Sequence, residues 1–210
     1  MRLTYHFVMS SAYESTGRTG QKARTRNALT DAARRLLDIG QAPTVEQAAR
    51  AASVARATAY RYFPNQRALL EATLPELTQP SLLGDAPPEG AAERLGLVVE
   101  AIVQQAVEHE PALRTMLRLS LQPDRGDRGD LTFRKGRRIT WIGEALEPLQ
   151  ARLTRRDFDR LVHAIAAAVG IDALVWLTDV AGLRRAEAVE VMRWSSRTLL
   201  RAALDELSNG

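Results

Sequence analysis

The stretch from Thr44 to Leu70 constrains the fold of this chain more than any other part of it. It predicts a short helix, a tight turn at Val54 and a second short helix, followed by a Pro64-Asn65 break and a third helix. Arginines and tyrosines fall on one side of this segment, and small apolar residues fall on the other. The arrangement is typical of a helix-turn-helix, which presents one helix to the major groove of DNA.

A helical period continues through the rest of the chain without sustained alternation of apolar and polar residues, so we predict an all-α fold. Ahead of the motif, a half-buried helix over residues 22–39 should end at Gly40. Within the motif, Thr44 with Gln47 forms a capping box, and Asn65 caps the third helix. Downstream, the pattern predicts helices over residues 89–109, 112–121, 133–150, 155–180 and 185–207.

Composition divides the chain into three parts. Residues 1–20 are interpreted as a disordered tail, in which Met9 is an alternative start. Residues 21–77 form the predicted N-terminal three-helix DNA-binding domain, and residues 78–210 form a C-terminal helical domain for ligand binding and dimerisation. A stretch rich in Pro, Gly and Ser over residues 79–90 marks the boundary.

The basic charge is concentrated in the part that holds the motif. Residues 1–75 carry 11 Lys and Arg against 5 Asp and Glu, and the rest of the chain carries 18 against 20. A phosphate backbone is the partner that such a balance favours. The absence of cysteine excludes disulfides and thiolate metal sites, and the sequence lacks a catalytic cluster. We therefore expect neither an enzyme nor a cofactor or metal site, and we expect a cytoplasmic protein without a membrane segment.

The residues on the open side of the motif are the candidate contacts to double-stranded DNA. Arg56, at the start of the second helix of the motif, can donate two hydrogen bonds to O6 and N7 of guanine. Tyrosine hydroxyls and the amides at helix starts suit phosphate, and the basic residues ahead of the motif suit the backbone or the minor groove. The predicted DNA-binding residues are Lys22, Arg24, Arg26, Thr44, Arg56, Ala57, Thr58, Tyr60, Arg61, Tyr62, Asn65 and Gln66.

At these residues the chain resembles the N-terminal domain of the TetR family of transcriptional regulators. The resemblance implies a homodimer that places its second motif helices in successive major grooves of an inverted repeat. It also implies repression and a small-molecule effector that shifts the separation of the two DNA-binding domains. The matching positions are Thr44-Val45, Ala48-Ala49, Ala52-Ser53-Val54-Ala55, Thr58-Ala59-Tyr60, Tyr62-Phe63, Asn65-Gln66 and Leu69.

Five positions depart from the family's pattern. Ser53 replaces the turn glycine, and a left-handed conformation costs a residue with a Cβ roughly 1 kcal/mol. Ala55 replaces the capping serine, which forfeits about 1 kcal/mol. Ala48 and Ala59 replace larger core residues, and Gln66 replaces a lysine. We therefore expect a less stable DNA-binding domain that binds DNA more weakly.

The C-terminal domain should enclose an apolar pocket for a hydrophobic or aromatic effector. Core packing is the alternative role for its tryptophans and its histidine. The candidate lining residues are Met116, Leu119, Phe133, Trp141, His163 and Trp176. The predicted helix over residues 155–180 is apolar on nearly all sides, so two of its sides must be buried. We expect the core of its own subunit to bury one side and a second subunit to bury the other. The predicted dimer interface comprises Phe158, Leu161, Ile165, Val169, Met192, Trp194 and Leu199.

Two functions follow from these features. The first is a ligand-responsive regulator, most simply a repressor, that binds an inverted-repeat operator as a homodimer. The alternative is a helical small-molecule or protein-interaction module that keeps the fold without binding DNA. The departures at Ser53, Ala55 and Gln66 favour the alternative, whereas the retained Thr44 and Arg56 favour the first.

Overall fold

The computed structural model describes residues 9–74, 79–121 and 137–208. Throughout these residues the regular structure is helical and contains no strand, which confirms the predicted all-α fold. The chain divides into two compact units between Leu74 and Pro75. Each unit has its own hydrophobic cluster. The ends predicted for the two domains, residues 77 and 78, lie outside the described residues.

Helix α1 comprises Met9–Asp38 and is longer than the sequence pattern predicts. The interpretation of residues 1–20 as a disordered tail is therefore wrong from Met9 onward, and residues 1–8 lie outside the described part. No proline precedes Gly40, so nothing in the sequence stops the helix from extending toward the N-terminus. Gly40 ends α1 as predicted, at a φ of 76°. Its amide donates to the Leu37 carbonyl at 2.8 Å, as in a Schellman cap.

The motif forms three short helices, α2 (Val45–Ala51), α3 (Arg56–Tyr62) and α4 (Gln66–Thr73). The predicted capping box is confirmed: the Thr44 hydroxyl accepts from the Gln47 amide at 3.2 Å, and the Gln47 side chain accepts from the Thr44 amide at 2.8 Å. Asn65 caps α4 by accepting from the Ala68 amide at 2.8 Å.

Alanines form half of the buried hydrophobic cluster of the N-terminal unit. Ala48 and Ala59 are fully buried, and Phe63 is 2% exposed. They pack with Leu29 and Ala33 of α1 and with further residues of α2 and α4. Arg34 of α1 closes the far end of α4, because its Nε donates to the Thr73 carbonyl at 3.1 Å. Ala48 and Ala59 therefore occupy core positions, where each buries less apolar area than a larger side chain would.

The C-terminal unit contains six further helices in its described part. They are α5 (Ala91–Glu108), α6 (Glu110–Leu121), α7 (Arg137–Ala145), α8 (Arg155–Ala168), α9 (Ile171–Val175) and α10 (Arg185–Ser208). A 3₁₀ turn at Glu147–Leu149 replaces the predicted continuation of α7, since Pro148 lacks an amide proton and disfavours the helical conformation before it. Thr154 caps α8 by accepting from the Asp157 amide at 3.2 Å.

The prediction of one long helix over residues 155–180 is wrong. Val169 is extended and Gly170 has a φ of 99°, so the chain bends by 45° between α8 and the part that follows. The guanidinium of Arg138 fills the bend: its Nη1 donates to the Val169 carbonyl at 2.5 Å and to the Asp172 carboxylate at 2.6 Å. Among the described residues no single helix is apolar and long enough to cross a membrane, and only this bent pair together reaches that length and composition.

A π-helical turn, Trp176–Val180, follows α9 and is fixed by an ion pair from α6. Arg114 donates from Nη2 to Asp179 at 2.7 Å and from Nε to Glu110 at 2.8 Å. The hydrogen bonds from Arg114 lower the pKa of Asp179 to about 2. The ion pair thereby joins the π-helical turn to α6 at the surface of the unit.

Gly170 should be far less replaceable than another glycine with positive φ in the same unit. A Cβ on Gly170 would collide with Arg138 Nη1, whereas a Cβ on Gly182, at a φ of 73°, meets nothing within 4 Å. We expect Gly170→Ala to lower the free energy of unfolding by about 3 kcal/mol, and Gly182→Ala by about 1 kcal/mol. Denaturant unfolding followed by tryptophan fluorescence measures both, because all three tryptophans lie in this unit. Equal losses would contradict the role given to the Arg138 contact.

Candidate functional site

The turn between α2 and α3 sets the geometry of the candidate site. Ser53 has a φ of 54°, which confirms the predicted left-handed position. The Ser53 amide donates to the Arg50 carbonyl at 3.2 Å, and the Val54 amide donates to the Ala49 carbonyl at 2.8 Å. These are the paired bonds of a Schellman cap built without glycine. The turn therefore keeps the form of the motif at a cost in backbone strain.

Helix α3 buries one side and exposes the other. Arg56, Ala57, Tyr60 and Arg61 are exposed, and Ala59 is fully buried. Thr58 and Tyr62 are half-buried, and Tyr62 packs against the N-terminal core, so the prediction that it lies on the open face is only partly right. Ala55 has the extended conformation of an N-cap but makes no side-chain capping bond, as predicted.

An acidic side chain outside the predicted set of DNA contacts meets Arg56 and Tyr60. Glu46, in the first turn of α2, accepts from Arg56 Nη2 at 2.7 Å and from the Tyr60 hydroxyl at 3.4 Å. The Arg56 guanidinium carbon lies 5.7 Å from the centroid of the Tyr60 ring. We call Glu46, Arg56 and Tyr60 the α2–α3 polar cluster. The sequence signal for this cluster is the carboxylate of Glu46, which stands two residues after Thr44, a predicted phosphate contact.

The predicted phosphate contact at the start of α4 needs correction. Gln66 donates from Nε2 to the carbonyls of Ala42 and Pro43, each at 3.1 Å. Its amide group therefore holds the loop ahead of α2 and is not free for phosphate. Asn65 is exposed, although its side-chain oxygen is engaged in capping α4. Thr44 is exposed as well, and its hydroxyl accepts within the capping box while its own proton stays available to a phosphate.

Lys22, Arg24 and Arg26 all lie exposed on α1. Because α1 begins at Met9, they sit within a helix and not on a flexible arm. A helix is roughly 10–12 Å wide with its side chains, and the minor groove is only about 6 Å wide, so phosphate contact is favoured over the predicted minor-groove contact. Arg26 also lies over the ring of Phe63, with its guanidinium carbon 5.5 Å from the ring centroid.

The predicted effector-lining residues that the structure describes differ in exposure and lie on α6, α7, α8 and the π-helical turn. Trp141 is 5% exposed and donates from Nε1 to the Gln79 carbonyl at 3.0 Å, so it is a core residue. Met116 is buried and Leu119 is half-buried on α6. His163 and Trp176 are exposed, Trp176 by 59%, so neither is enclosed by the described part of its own unit. The bend at Gly170 and the π turn carry Trp176 to the surface, and Phe133 lies outside the described residues.

The predicted dimer interface also needs correction. A side chain that its own subunit already buries has no surface left to lose to a partner. That applies to Phe158, Leu161, Ile165, Val169 and Met192, which are all buried in the C-terminal core. Leu199 packs half-buried against the same core, whereas Trp194 is 61% exposed on α10. Within the described residues no group of three or more His, Asp or Glu side chains is placed to hold a metal ion.

The fold of the N-terminal unit, with its exposed α3, defines a helix-turn-helix DNA-binding protein. The family model described as bacterial regulatory proteins, tetR family, matches residues 29–73. The matched segment is similar to the DNA-binding domain of transcriptional regulators of this family. Neither the curated proteins nor the solved structures give a significant match to the chain.

The missing cap of α3 predicts a stabilising substitution. Ala55 is exposed and already has a φ of −60° and a ψ of 138°, the conformation of an N-cap residue. Ala55→Ser should supply the absent hydrogen bond and raise the free energy of unfolding of the N-terminal unit by about 1 kcal/mol. Thr44→Ala, which removes an existing cap, should lower it by a similar amount. Circular dichroism during urea unfolding measures both, and a neutral Ala55→Ser would contradict this reading of the α3 start.

Proposed function

We propose that the chain is a ligand-responsive repressor that binds an inverted-repeat operator as a homodimer through α3. The observation that carries the proposal is the exposed face of α3, where Arg56, Tyr60 and Arg61 are presented together by a helix-turn-helix. The net positive charge of residues 1–75 supports it, because phosphate neutralisation supplies much of the affinity for DNA. Action on DNA also agrees with a cytoplasmic location.

Each exposed group has a distinct role in this proposal. Arg56, at the first position of α3, reads a guanine through O6 and N7. Arg61, Lys22 and Arg24 neutralise phosphates, and Thr44 donates a hydrogen bond to one. Tyr60 contacts a phosphate or a thymine methyl group. Ala57 and Thr58 allow α3 to approach the base edges closely.

A second copy of the chain is proposed to pack on the exposed sides of α8 and α10. His163 and Ala167 on α8, and Trp194 and Arg197 on α10, are exposed. The two helices pack against each other, and Arg160 reaches Glu206 at 3.4 Å across them. A large exposed tryptophan beside small and polar residues is typical of an interface centre. An apolar or aromatic effector in this unit would favour one of two dimer states and so change DNA affinity.

Selection from a random duplex library tests the DNA-binding proposal. We expect the wild-type protein to enrich an inverted repeat, with an affinity that falls steeply as salt rises. Arg56→Ala should lose about 1–3 kcal/mol of binding free energy and relax the preference at one base pair of each half-site. Arg155→Ala, which removes an exposed arginine from the C-terminal unit, is the control and should change neither. A folded wild-type protein that enriches no sequence would favour the non-DNA-binding alternative.

The dimer proposal predicts different outcomes for two exposed tryptophans. Trp194 and Trp176 are exposed to 61% and 59%, and only Trp194 lies on the proposed interface. Trp194→Glu should convert dimers into monomers, because it places a charge at the centre of the interface. Trp176→Glu should leave the dimer intact. Sedimentation velocity measures both, and dimers that persist in Trp194→Glu but dissociate in Trp176→Glu would refute the assignment.

A further inference from the structure

The α2–α3 polar cluster places a negative charge on the surface that faces DNA. The Glu46 side chain is 39% exposed and that of Arg56 is 72% exposed, so both groups reach solvent. Glu46 stands at the first turn of α2 and Arg56 at the first residue of α3. The carboxylate therefore lies beside the arginine that is proposed to read a base, and close to the phosphate contact proposed for Thr44.

Folding stability does not account for this pair. Ion pairs between exposed side chains contribute little to stability, because water screens the attraction and two long side chains must be held in place. Near DNA the balance is different, since a carboxylate repels the phosphate backbone unless a cation stays with it. The charge of Glu46 therefore affects DNA binding more than folding stability.

We propose that Glu46 is a specificity-determining positioning residue for DNA recognition by Arg56. It holds the guanidinium at the start of α3, ready for a guanine edge, and it disfavours complexes in which Arg56 turns to a phosphate. The proposal rests on the proposed function, and it adds a residue whose charge opposes non-specific binding.

The donor arrangement of arginine makes this possible. The guanidinium carries five N–H donors in a rigid fork, and Glu46 uses a bond to Nη2. Donors remain for the O6 and N7 acceptors of a guanine while the ion pair is kept. The Tyr60 ring, 5.7 Å from the guanidinium carbon, limits the directions that Arg56 can take.

A complex in which Arg56 leaves for a phosphate is penalised. Glu46 would then face the DNA backbone without its paired cation. An unpaired charge of this kind disfavours binding to the wrong partner, here a non-specific duplex. Glu46 should consequently weaken binding to all duplexes, but it should weaken binding to non-specific duplexes most.

The test uses the full chain and two duplexes, the one enriched by selection and a scrambled duplex of the same length and composition. Dissociation constants are measured at one moderate salt concentration for the wild type, Glu46→Gln and Glu71→Gln, with and without Arg56→Ala. Glu71→Gln is the matched control, because it removes the same charge from another ion pair in the same unit, that of the exposed Glu71 with the half-buried Arg67 at 3.5 Å. Thermal unfolding checks that both variants are as stable as the wild type.

We expect Glu46→Gln to bind the scrambled duplex more tightly than the wild type does. The ratio of the dissociation constant for the scrambled duplex to that for the selected duplex should fall about tenfold, which lies within the discrimination that one bidentate base contact supplies. Glu71→Gln should leave the ratio within about twofold of the wild type. In the Arg56→Ala background Glu46→Gln should leave the ratio unchanged, since no arginine remains to be positioned.

An unchanged ratio in Glu46→Gln, or an equal fall in Glu71→Gln, would overturn the proposal while leaving the proposed function standing. A fall that persists in the Arg56→Ala background would also overturn it, because Glu46 would then be reading a base itself, such as the N4 donor of cytosine. A wild-type protein with no preference for the selected duplex would overturn the proposed function, and this inference with it.

Discussion

The candidate site depends on the close packing of small side chains between α1, α2 and α3. Helix α3 has seven residues, and isolated helices shorter than roughly 12–15 residues are marginal in water. Its position is therefore set by the burial of Ala59 and Phe63 and by the strained turn at Ser53. A larger residue at Ala48 or Ala59 would move α3 away from α1. A small core thus carries a precisely oriented surface with little stability to spare.

Opposite charges meet on that surface. The N-terminal unit exposes Lys22, Arg24 and Arg61, which are proposed to contact DNA, and Glu46 is paired with the arginine at the start of α3. A uniformly basic surface would hold any duplex, whereas a paired arginine distinguishes a base edge from a phosphate. The same unit commits Gln66 to its own backbone, so it contributes no charge at the start of α4. Selectivity and moderate affinity are consistent consequences of this arrangement.

Local chemistry in the sequence predicts the local structure well. The caps at Thr44 and Asn65 and the left-handed position of Ser53 depend on residues within five positions of one another, and all are confirmed. Contacts between residues far apart in the sequence cannot be predicted from such local patterns. The bend at Gly170 is completed by the Arg138 guanidinium, 32 residues earlier, and Glu46 meets Arg56 only once α2 and α3 are folded together.

The apolar character of α8 illustrates the same limit. Its hydrophobic residues were attributed in part to a second subunit, but α7 and α10 of the same unit cover Ile165 and its neighbours. Hydrophobicity alone cannot distinguish a helix face buried within its own subunit from one buried against a second subunit. Trp194 is exposed, and the folded structure separates it from the buried members of the predicted interface.

The most direct measurement of the central claim is the affinity of the protein for selected duplexes in which single guanines are replaced by 7-deazaguanine, which removes the N7 acceptor. We expect one guanine in each half-site whose replacement weakens binding by the wild type but not by Arg56→Ala, since the lost bond belongs to that side chain. No sensitive guanine, or equal sensitivity in both proteins, would contradict base reading by Arg56.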